Sequence, residues 1–205
     1  MLSSSAIESN LNGSSITFPS ISIPKGELLL LKGYSGSGKS TFLHSIAGLV
    51  PLLKGHIRIK GHGEISENIV PKNWRNNAIT IIPQRPLFWQ SLTVIENIKL
   101  CEWSKGIESG HSEYILEKLG IIDLSKRAVN KLSLGQQQRL SAARALMSKA
   151  PVVLADEPTA ALDEQNTHIM MDLLKEHQSK TGCSILVSSH DNRLDSIADQ
   201  MVKLQ

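Results

Sequence analysis

The sequence predicts an α/β fold with a mixed, mostly parallel sheet, an antiparallel β portion and a helical subdomain. Short, wholly apolar runs recur along the chain, and such runs are typical of strands that a parallel sheet buries on both faces. They alternate with segments of helical periodicity, as in βαβ units. A glycine-rich turn joins the first apolar run to a helix. The length of 205 residues predicts one domain, or at most two small lobes that share a core.

The first half of the chain is predicted to contain three strands and one helix. Residues 27–32, with four consecutive leucines, predict a short buried strand. After the glycine-rich turn, apolar side chains at helical spacing predict a helix over 40–50, which Pro51 ends. Apolar and charged residues alternate over 55–61 and predict an antiparallel strand with one exposed face. Residues 78–82 are predicted to form a further strand.

Helical patterns dominate beyond Pro86, and sheet character then returns. The predicted elements are helices over 93–101, 112–119, 135–149 and 165–178 and strands over 151–155 and 183–188. We therefore predict a core lobe, made of residues 1–84 and 150–205 and containing the antiparallel strands. It flanks a helical subdomain of residues 85–149.

Composition excludes several classes of protein. Lys and Arg number 22 against 19 Asp and Glu, and the two signs are interspersed, so we expect no nucleic-acid partner. The longest apolar stretches, 28–31 and 46–53, are far shorter than the roughly 18 residues of a membrane-spanning helix. The serine-rich start lacks the features of a secretory signal, which predicts a cytoplasmic protein. Cys101 and Cys183 match no metal spacing and are predicted to be packing residues.

A phosphate-binding pattern follows the first predicted strand. The segment Gly33-Tyr34-Ser35-Gly36-Ser37-Gly38-Lys39-Ser40-Thr41 fits GxxxxGKS/T between a strand and a helix, the context that this pattern requires. Backbone N–H groups and the helix dipole would cradle the β-phosphate, and Lys39 would contact the β and γ oxygens. The Ser40 hydroxyl would bind Mg²⁺. The alternative is a flexible glycine turn with an exposed lysine. The nucleotide-binding residues predicted in this loop are Gly33, Ser35, Gly36, Ser37, Gly38, Lys39, Ser40 and Thr41.

A second motif is an apolar strand that ends in two acidic residues. Its sequence is Val152-Val153-Leu154-Ala155-Asp156-Glu157, and the carboxyl ends of parallel strands are where such folds bind ligands. Beside a phosphate loop, Asp156 would hold the Mg²⁺ shell and Glu157 would polarise the water that attacks the γ-phosphate. The alternative is a solvated strand end.

Between these two motifs stands Leu132-Ser133-Leu134-Gly135-Gln136-Gln137-Gln138-Arg139, which resembles the LSGGQ signature of the nucleotide-binding domains of ATP-binding cassette (ABC) transporters. Gln84 is similar to the Q-loop glutamine of that family, Ala161-Leu162-Asp163 to its D-loop, and His190 to its switch histidine. The motifs follow the family's order. The resemblance implies a P-loop NTPase core of the RecA-like type, that is, the ABC ATPase fold.

The resemblance also implies an ATPase that uses ATP and Mg²⁺ in a head-to-tail dimer, with two nucleotides between the subunits. In such a dimer Ser133, Gly135 and Gln136 contact the nucleotide of the opposite subunit. The implied catalytic residues are Glu157, His190 and Lys39, and the implied metal-binding residues are Ser40, Gln84 and Asp156. Gln84 and Asp163 complete the implied nucleotide-binding set. Ser133 can also cap the helix that follows it.

The sequence departs from the family's pattern at three points. Leu134 stands where the signature usually has glycine, which adds bulk beside the partner's phosphate. Ala160 replaces a serine or glycine before the D-loop. No aromatic residue stands where the family stacks adenine, because Phe18 lies nearer the phosphate loop and is predicted to be core. Adenine would then rest on an aliphatic residue near Leu11.

The family resemblance implies a separate integral-membrane permease as the partner. The chain would be peripheral on the cytoplasmic face of the inner or plasma membrane, in a homodimer or with another ABC ATPase subunit. It looks most like the ATPase subunits of lipoprotein-release and macrolide-efflux systems. Leu87, Phe88 and Trp89 follow Gln84, where the family docks its permease, and we therefore favour an interface. The alternative is a cluster buried under the helical subdomain.

Two other classes share these motifs. A non-transport ABC ATPase, acting in division or translation, would carry every one of them. A nucleotide-binding subunit with weak hydrolysis is the second class, and Lys39, Asp156, Glu157 and His190 speak against it.

Overall fold

The computed structural model describes residues 1–11, 13–67, 69–106 and 111–204. The strands of the described residues are β1 (Leu2–Ser4), β2 (Ile7–Leu11), β3 (Ser14–Phe18), β4 (Ile21–Ile23), β5 (Leu28–Lys32), β6 (Leu52–Lys54), β7 (His56–Ile59), β8 (Gly63–Ser66), β9 (Ile79–Ile82), β10 (Val152–Asp156), β11 (Ser184–Ser188) and β12 (Gln200–Lys203). The α-helices are α1 (Lys39–Ile46), α2 (Val94–Lys105), α3 (His111–Lys118), α4 (Leu134–Leu146) and α5 (Glu164–Thr181).

A five-stranded parallel sheet, in the order β12-β5-β11-β10-β9, forms the centre of the molecule. Both of its faces are covered, which explains the apolar runs. In β5, Leu28 and Leu30 join a core with the helices α2 to α5. Leu29 and Leu31 face the opposite core, which contains α1 and the antiparallel strands. Successive side chains of a strand point to opposite faces, so four consecutive leucines supply both cores.

Two antiparallel sheets cover the α1 side of the central sheet. Their strand orders are β4-β1-β7-β8 and β3-β2-β6. The predicted antiparallel strand is confirmed as β7, where Ile57 and Ile59 are buried and His56 and Arg58 are exposed. The predicted fold class is therefore confirmed, with the parallel strands gathered in one sheet and the antiparallel strands in two others.

The predicted helices are all present, and their ends differ by a few residues. The helix predicted over 40–50 ends at Ile46, before Pro51 is reached. Gly48 has φ 68 and lies two residues beyond this end, a backbone conformation that ends helices and that glycine adopts readily. Leu52 then begins β6.

Helices α2, α3, α4 and α5 pack together beside the sheet, and α4 also contacts β9. Their buried side chains and those of the sheet belong to one continuous core. The division into residues 85–149 and a core lobe remains a prediction.

Two further expectations concern single side chains. Phe18 is buried and stacks on Phe42 with ring centroids 4.8 Å apart, so it is a core residue as predicted. Cys101 and Cys183 are free thiols, half-buried and buried respectively.

Within the described residues no helix combines the length and the apolar character needed to span a membrane.

Candidate functional site

The loop between β5 and α1 is shaped by its glycines. Gly36 and Gly38 have φ 85 and φ 89, conformations that side chains with a Cβ rarely adopt. A Cβ on Gly38 would lie 2.6 Å from Ile16 Cδ1 and 3.1 Å from Phe18 Cε1. A Cβ on Gly33 would lie 2.4 Å from Ser37 Oγ. Gly36 is therefore favoured by its conformation, Gly33 by the close contact, and Gly38 by both.

Helix α1 begins directly after this loop with its first N–H groups available. Gly38 is its N-cap and supplies no side-chain hydrogen bond, and its first turn contains no acidic residue. The uncapped N–H groups and the positive end of the helix dipole favour an anion at this point. This is the arrangement that the phosphate-binding pattern predicts.

A cavity of about 770 Å³ opens over the loop. Its lining residues are Lys32, Gly33, Tyr34, Ser35, Gly36, Gly38, Lys39, Ser40, Thr41, Gln84, Glu157, His190, Asn192, Lys203 and Leu204. Residues from five separate parts of the sequence thus meet around one space. The size is in the range of ligand sites, about 300 to 1,000 Å³.

The buried side chain of Lys39 lies between the loop and the carboxylate of Glu157. Its Nζ donates to the carbonyl oxygens of Gly33 at 2.8 Å and Tyr34 at 3.1 Å. It also lies 3.6 Å from Glu157 Oε1. The ammonium group is therefore held at the cavity wall by backbone acceptors and an anionic side chain.

Glu157 and His190 meet because their strands are neighbours in register. Asp156, the last residue of β10, pairs with Ser188, the last residue of β11. The residues that follow them consequently share one edge of the sheet, and His190 Nδ1 lies 2.9 Å from Glu157 Oε1. Glu157 has φ 47, and its N–H donates to the carbonyl oxygen of Ser188 at 3.0 Å. A non-glycine residue in this conformation carries strain that is common at functional sites.

Two of the three predicted metal ligands line the cavity, and the third is buried and is not among the lining residues. Ser40 and Gln84 line the cavity, and they offer the hydroxyl and carbonyl oxygens that Mg²⁺ prefers. Asp156 is buried and accepts a hydrogen bond of 2.5 Å from Ser188 Oγ. Among the described residues, no three His, Cys, Asp or Glu side chains cluster as a metal site. The donor set fits an ion that keeps water or substrate oxygens as its other ligands.

The signature segment lies at the start of α4. Ser133 is the N-cap, and its Oγ accepts a hydrogen bond from Gln136 N at 3.3 Å. In return Gln136 Oε1 accepts a hydrogen bond from Ser133 N at 2.9 Å. This reciprocal capping box confirms the predicted capping by Ser133. Leu134 is exposed beside it.

Contacts within the chain connect the signature helix to the D-loop. A Cβ on Gly135 would lie 3.0 Å from the carbonyl oxygen of Ala161, so the close approach favours glycine. The buried Gln138 side chain accepts a hydrogen bond from Ala161 N at 3.2 Å. Asp163 is the N-cap of α5 and accepts from Asn166 N at 2.8 Å. The backbone hydrogen bond from Asn166 is the main cause that lowers the pKa of the exposed Asp163 carboxyl.

The loop after Gln84 presents two of its three apolar side chains to solvent. Leu87 is 77% and Trp89 55% exposed, whereas Phe88 packs against the core. The guanidinium of Arg144 lies over the Phe88 and Trp89 rings, 5.5 and 5.7 Å from their centroids. Buried Asn97 holds the loop, since its side chain accepts from Trp89 N at 3.0 Å and donates to Trp89 O at 3.1 Å.

The structure brings most of the predicted site residues together. The lining includes all the predicted loop residues except Ser37, whose Oγ is buried and has no hydrogen-bond partner. Ser133, Gly135, Gln136 and Asp163 are not among the lining residues. The side chain of Leu11, the position suggested for adenine contact, lies outside the described part of the structure.

Sequence reasoning missed several residues of the site. Tyr34, Lys32, Asn192, Lys203 and Leu204 line the cavity without having been predicted. Tyr34 could have been found, because it occupies a variable position inside the phosphate loop. Lys32 directly precedes the loop at the end of β5. Asn192, Lys203 and Leu204 come from the segment after His190 and from the end of β12, and the sheet order brings them near the loop.

Comparisons with known proteins agree with one another. A family model described as "ABC transporter" matches residues 17–160. The chain is 34% identical to the ABC transporter ATP-binding protein YtrE of Bacillus subtilis, over 90% of this chain and 82% of that protein. It is also 34% identical to the lipoprotein-releasing system ATP-binding protein LolD of Leptospira interrogans, over 90% of this chain and 79% of that protein.

A longer relative and a solved structure extend the comparison. The macrolide export ATP-binding/permease protein MacB of Aggregatibacter actinomycetemcomitans is 35% identical over 91% of this chain, which covers only 30% of MacB. The dimeric post-hydrolysis structure of the ATP-binding cassette MJ0796 bound to ADP and Pi has a TM-score of 0.85 and 27% identity. The match covers 100% of this chain and 94% of the MJ0796 chain.

Proposed function

The chain belongs to the ABC transporter family as one of its ATP-hydrolysing subunits, and we propose that the cavity over the glycine-rich loop is where it binds and hydrolyses ATP. One observation carries this proposal. Lys39, Gln84, Glu157 and His190, which come from separate motifs, line the same space as the loop. ATP fits it because the loop offers free N–H groups and an ammonium group to the phosphates.

The loop and α1 bind the triphosphate. The N–H groups at the start of α1 receive the β-phosphate, and Lys39 exchanges its bonds to the carbonyl oxygens of Gly33 and Tyr34 for the β and γ oxygens. Ser35, Gly36, Gly38 and Thr41 also line the cavity. Positioning and charge neutralisation are the main needs of phosphoryl transfer, and these residues supply both.

Glu157 polarises the attacking water. Its carboxylate lies at the cavity wall, where it can accept a proton from water as the oxygen attacks the γ-phosphorus and the bond to the leaving ADP oxygen breaks. His190 is 69% exposed through its side chain and in contact with Glu157 Oε1. It orients the water and donates to the γ-phosphate oxygens.

Ser40, Gln84 and Asp156 are the residues that would hold Mg²⁺, which would supply neutralisation of the phosphate charge. Asp156 is the last residue of β10, directly before Glu157, and its carboxylate is buried against Ser188 Oγ. Ser40 and Gln84 line the cavity itself.

The active site is completed in trans by a second subunit. Ser133, Gly135 and Gln136 lie outside the lining of their own chain's cavity, yet the N-terminus of α4 is suited to an anion. A head-to-tail dimer places this helix start over the partner's γ-phosphate. The partner is a second copy of this chain or another ATPase subunit of the family.

The subunit acts at the cytoplasmic face of the membrane on a separate permease. LolD is an ATP-binding protein of a lipoprotein-releasing system, and MacB carries ATP-binding and permease parts in one protein. A system of the lipoprotein-release or macrolide-efflux type therefore fits the resemblance best. The exposed side chains of Leu87 and Trp89 form the docking surface for the permease, because exposed apolar groups beside the site favour a protein partner.

Trp89→Ala tests this docking surface. We expect the amount of membrane subunit that co-purifies to fall at least tenfold relative to the wild-type chain, because a central tryptophan contributes about 2 kcal/mol or more to an interface. The melting temperature should change little, since Trp89 is 55% exposed. Co-purification and a melting curve measure the two effects.

Trp103→Ala is the matched control. Trp103 is 82% exposed on α2, and its removal should leave both the membrane subunit and the melting temperature unchanged. A large fall in the melting temperature of Trp89→Ala, with normal recovery of the membrane subunit, would show that Trp89 is a packing residue instead.

A further inference from the structure

Ser189 lies between the end of β11 and His190 and belongs to no motif of the site. It is fully buried, with 0% of its surface exposed. Its N–H donates to the carbonyl oxygen of Leu31 at 3.1 Å, which continues the pairing of β11 with β5. The backbone at this residue is therefore fixed by the central sheet, on the side away from β10.

The hydroxyl of Ser189 links Glu157 to the segment after His190. Its Oγ donates to Glu157 Oε2 at 3.2 Å and accepts from Asp191 N at 3.1 Å. Because the Asp191 N–H occupies an acceptor lobe of the hydroxyl, the hydroxyl hydrogen is directed to the carboxylate. The direction of the Ser189 O–H group toward Glu157 Oε2 is therefore set by its contacts with both Asp191 N and the carboxylate.

Asp191 is itself held in place. Its Oδ2 accepts from Thr159 Oγ1 at 3.2 Å and from Arg193 Nε at 2.8 Å. The hydrogen bond from Arg193 is the main cause that lowers the pKa of the Asp191 carboxyl, so this residue stays charged and anchored. The chain of contacts from Arg193 through Asp191 to Ser189 ends at Glu157.

The two carboxylate oxygens of Glu157 are therefore held by two consecutive residues. His190 Nδ1 contacts Oε1 at 2.9 Å and Ser189 Oγ contacts Oε2. A carboxylate held at one oxygen can rotate about its last side-chain bond, whose torsional preference is broad. Contacts at both oxygens fix the plane of the group.

We propose that Ser189 is a positioning residue for ATP hydrolysis, whose hydroxyl fixes the plane of the Glu157 carboxylate toward the attacking water. This rests on the proposed role of Glu157 as the group that polarises the water. Ser189 does not line the cavity, so its effect falls on the rate of the chemical step and leaves nucleotide binding unchanged.

The test compares steady-state ATP hydrolysis of Ser189→Ala and Ser189→Thr with the wild-type chain. We expect Ser189→Ala to lower kcat roughly 10- to 100-fold, as for loss of a hydrogen bond to a charged group, with KM within about twofold of wild type. Ser189→Thr keeps the hydroxyl and should restore most of kcat. Should Ser189→Ala fail to fold, the near-isosteric Ser189→Cys, a weak donor, takes its place and should also lower kcat.

Ser184→Ala is the matched control. Ser184 is equally buried at the opposite end of β11, and its Oγ donates to Pro24 O at 2.8 Å. Its loss should lower the melting temperature and leave kcat unchanged. A purely structural role of Ser189 would give the same pattern, and so would overturn the proposal, as would a raised KM with normal kcat. If Glu157→Gln hydrolyses ATP normally, the role of Glu157 is wrong. If Glu157→Gln is inactive and Ser189→Ala is normal, only the role of Ser189 is wrong.

Discussion

Glu157→Gln should bind ATP normally and hydrolyse it about a thousandfold or more slowly than the wild-type chain. The amide keeps the size of the side chain but has one acceptor oxygen in place of two. It can therefore keep the acceptor role toward only one of Ser189 and His190, and it is a far weaker base than a carboxylate. ATP that is bound and not hydrolysed should hold two subunits together. Phosphate release and size-exclusion chromatography with ATP and Mg²⁺ measure the rate and the dimer.

Glu164→Gln provides the control for this change. It makes the same substitution in the exposed first turn of α5 and should leave both the rate and the elution volume unchanged. A Glu157→Gln chain that hydrolyses ATP at the wild-type rate would refute the assignment of Glu157. Slow hydrolysis without an ATP-dependent dimer would place the defect in nucleotide binding instead.

The central sheet could be predicted because its strands are apolar throughout. Leu28 to Leu31 are buried on both faces of β5, and such a run has few other stable environments in a folded domain. The strands of the first 23 residues could not be predicted in this way. Leu2 is buried, but the three residues that follow it are serines. Strand β1 forms because it pairs with β7, with Leu2 opposite Ile59. Pairing between residues so far apart leaves no local pattern.

The site likewise contains residues that a local sequence pattern identifies and residues that only the strand pairing brings into contact. Lys39 and Glu157 stand in motifs whose spacing is local, so the sequence identifies them and their chemistry. Ser189 has no such motif. Its contact with Glu157 arises from the register between β10 and β11, which pairs Asp156 with Ser188. A side chain that acts through another strand is visible only once the strand order and the register are known.

Lys39→Ala should abolish ATP binding, and Ser133→Arg should preserve binding to the single chain while blocking hydrolysis. Lys39 is the cation beside the phosphate loop, and loss of that charge removes the main attraction for the β and γ oxygens. Ser133 caps α4 outside the cavity of its own chain, so an arginine there disturbs the partner's nucleotide. Equilibrium binding of a fluorescent ATP analogue and phosphate release measure the two variants separately.

Mixing the two inactive chains tests whether each site is shared. A mixed dimer contains one site with both Lys39 and Ser133 intact, contributed by different chains, and one site that lacks both. With random pairing half the dimers are mixed, so an equal mixture should recover roughly a quarter of wild-type hydrolysis if the sites act independently. Two different affinity tags show that mixed dimers have formed. Mixed dimers that form but remain inactive would count against a head-to-tail arrangement with independent sites.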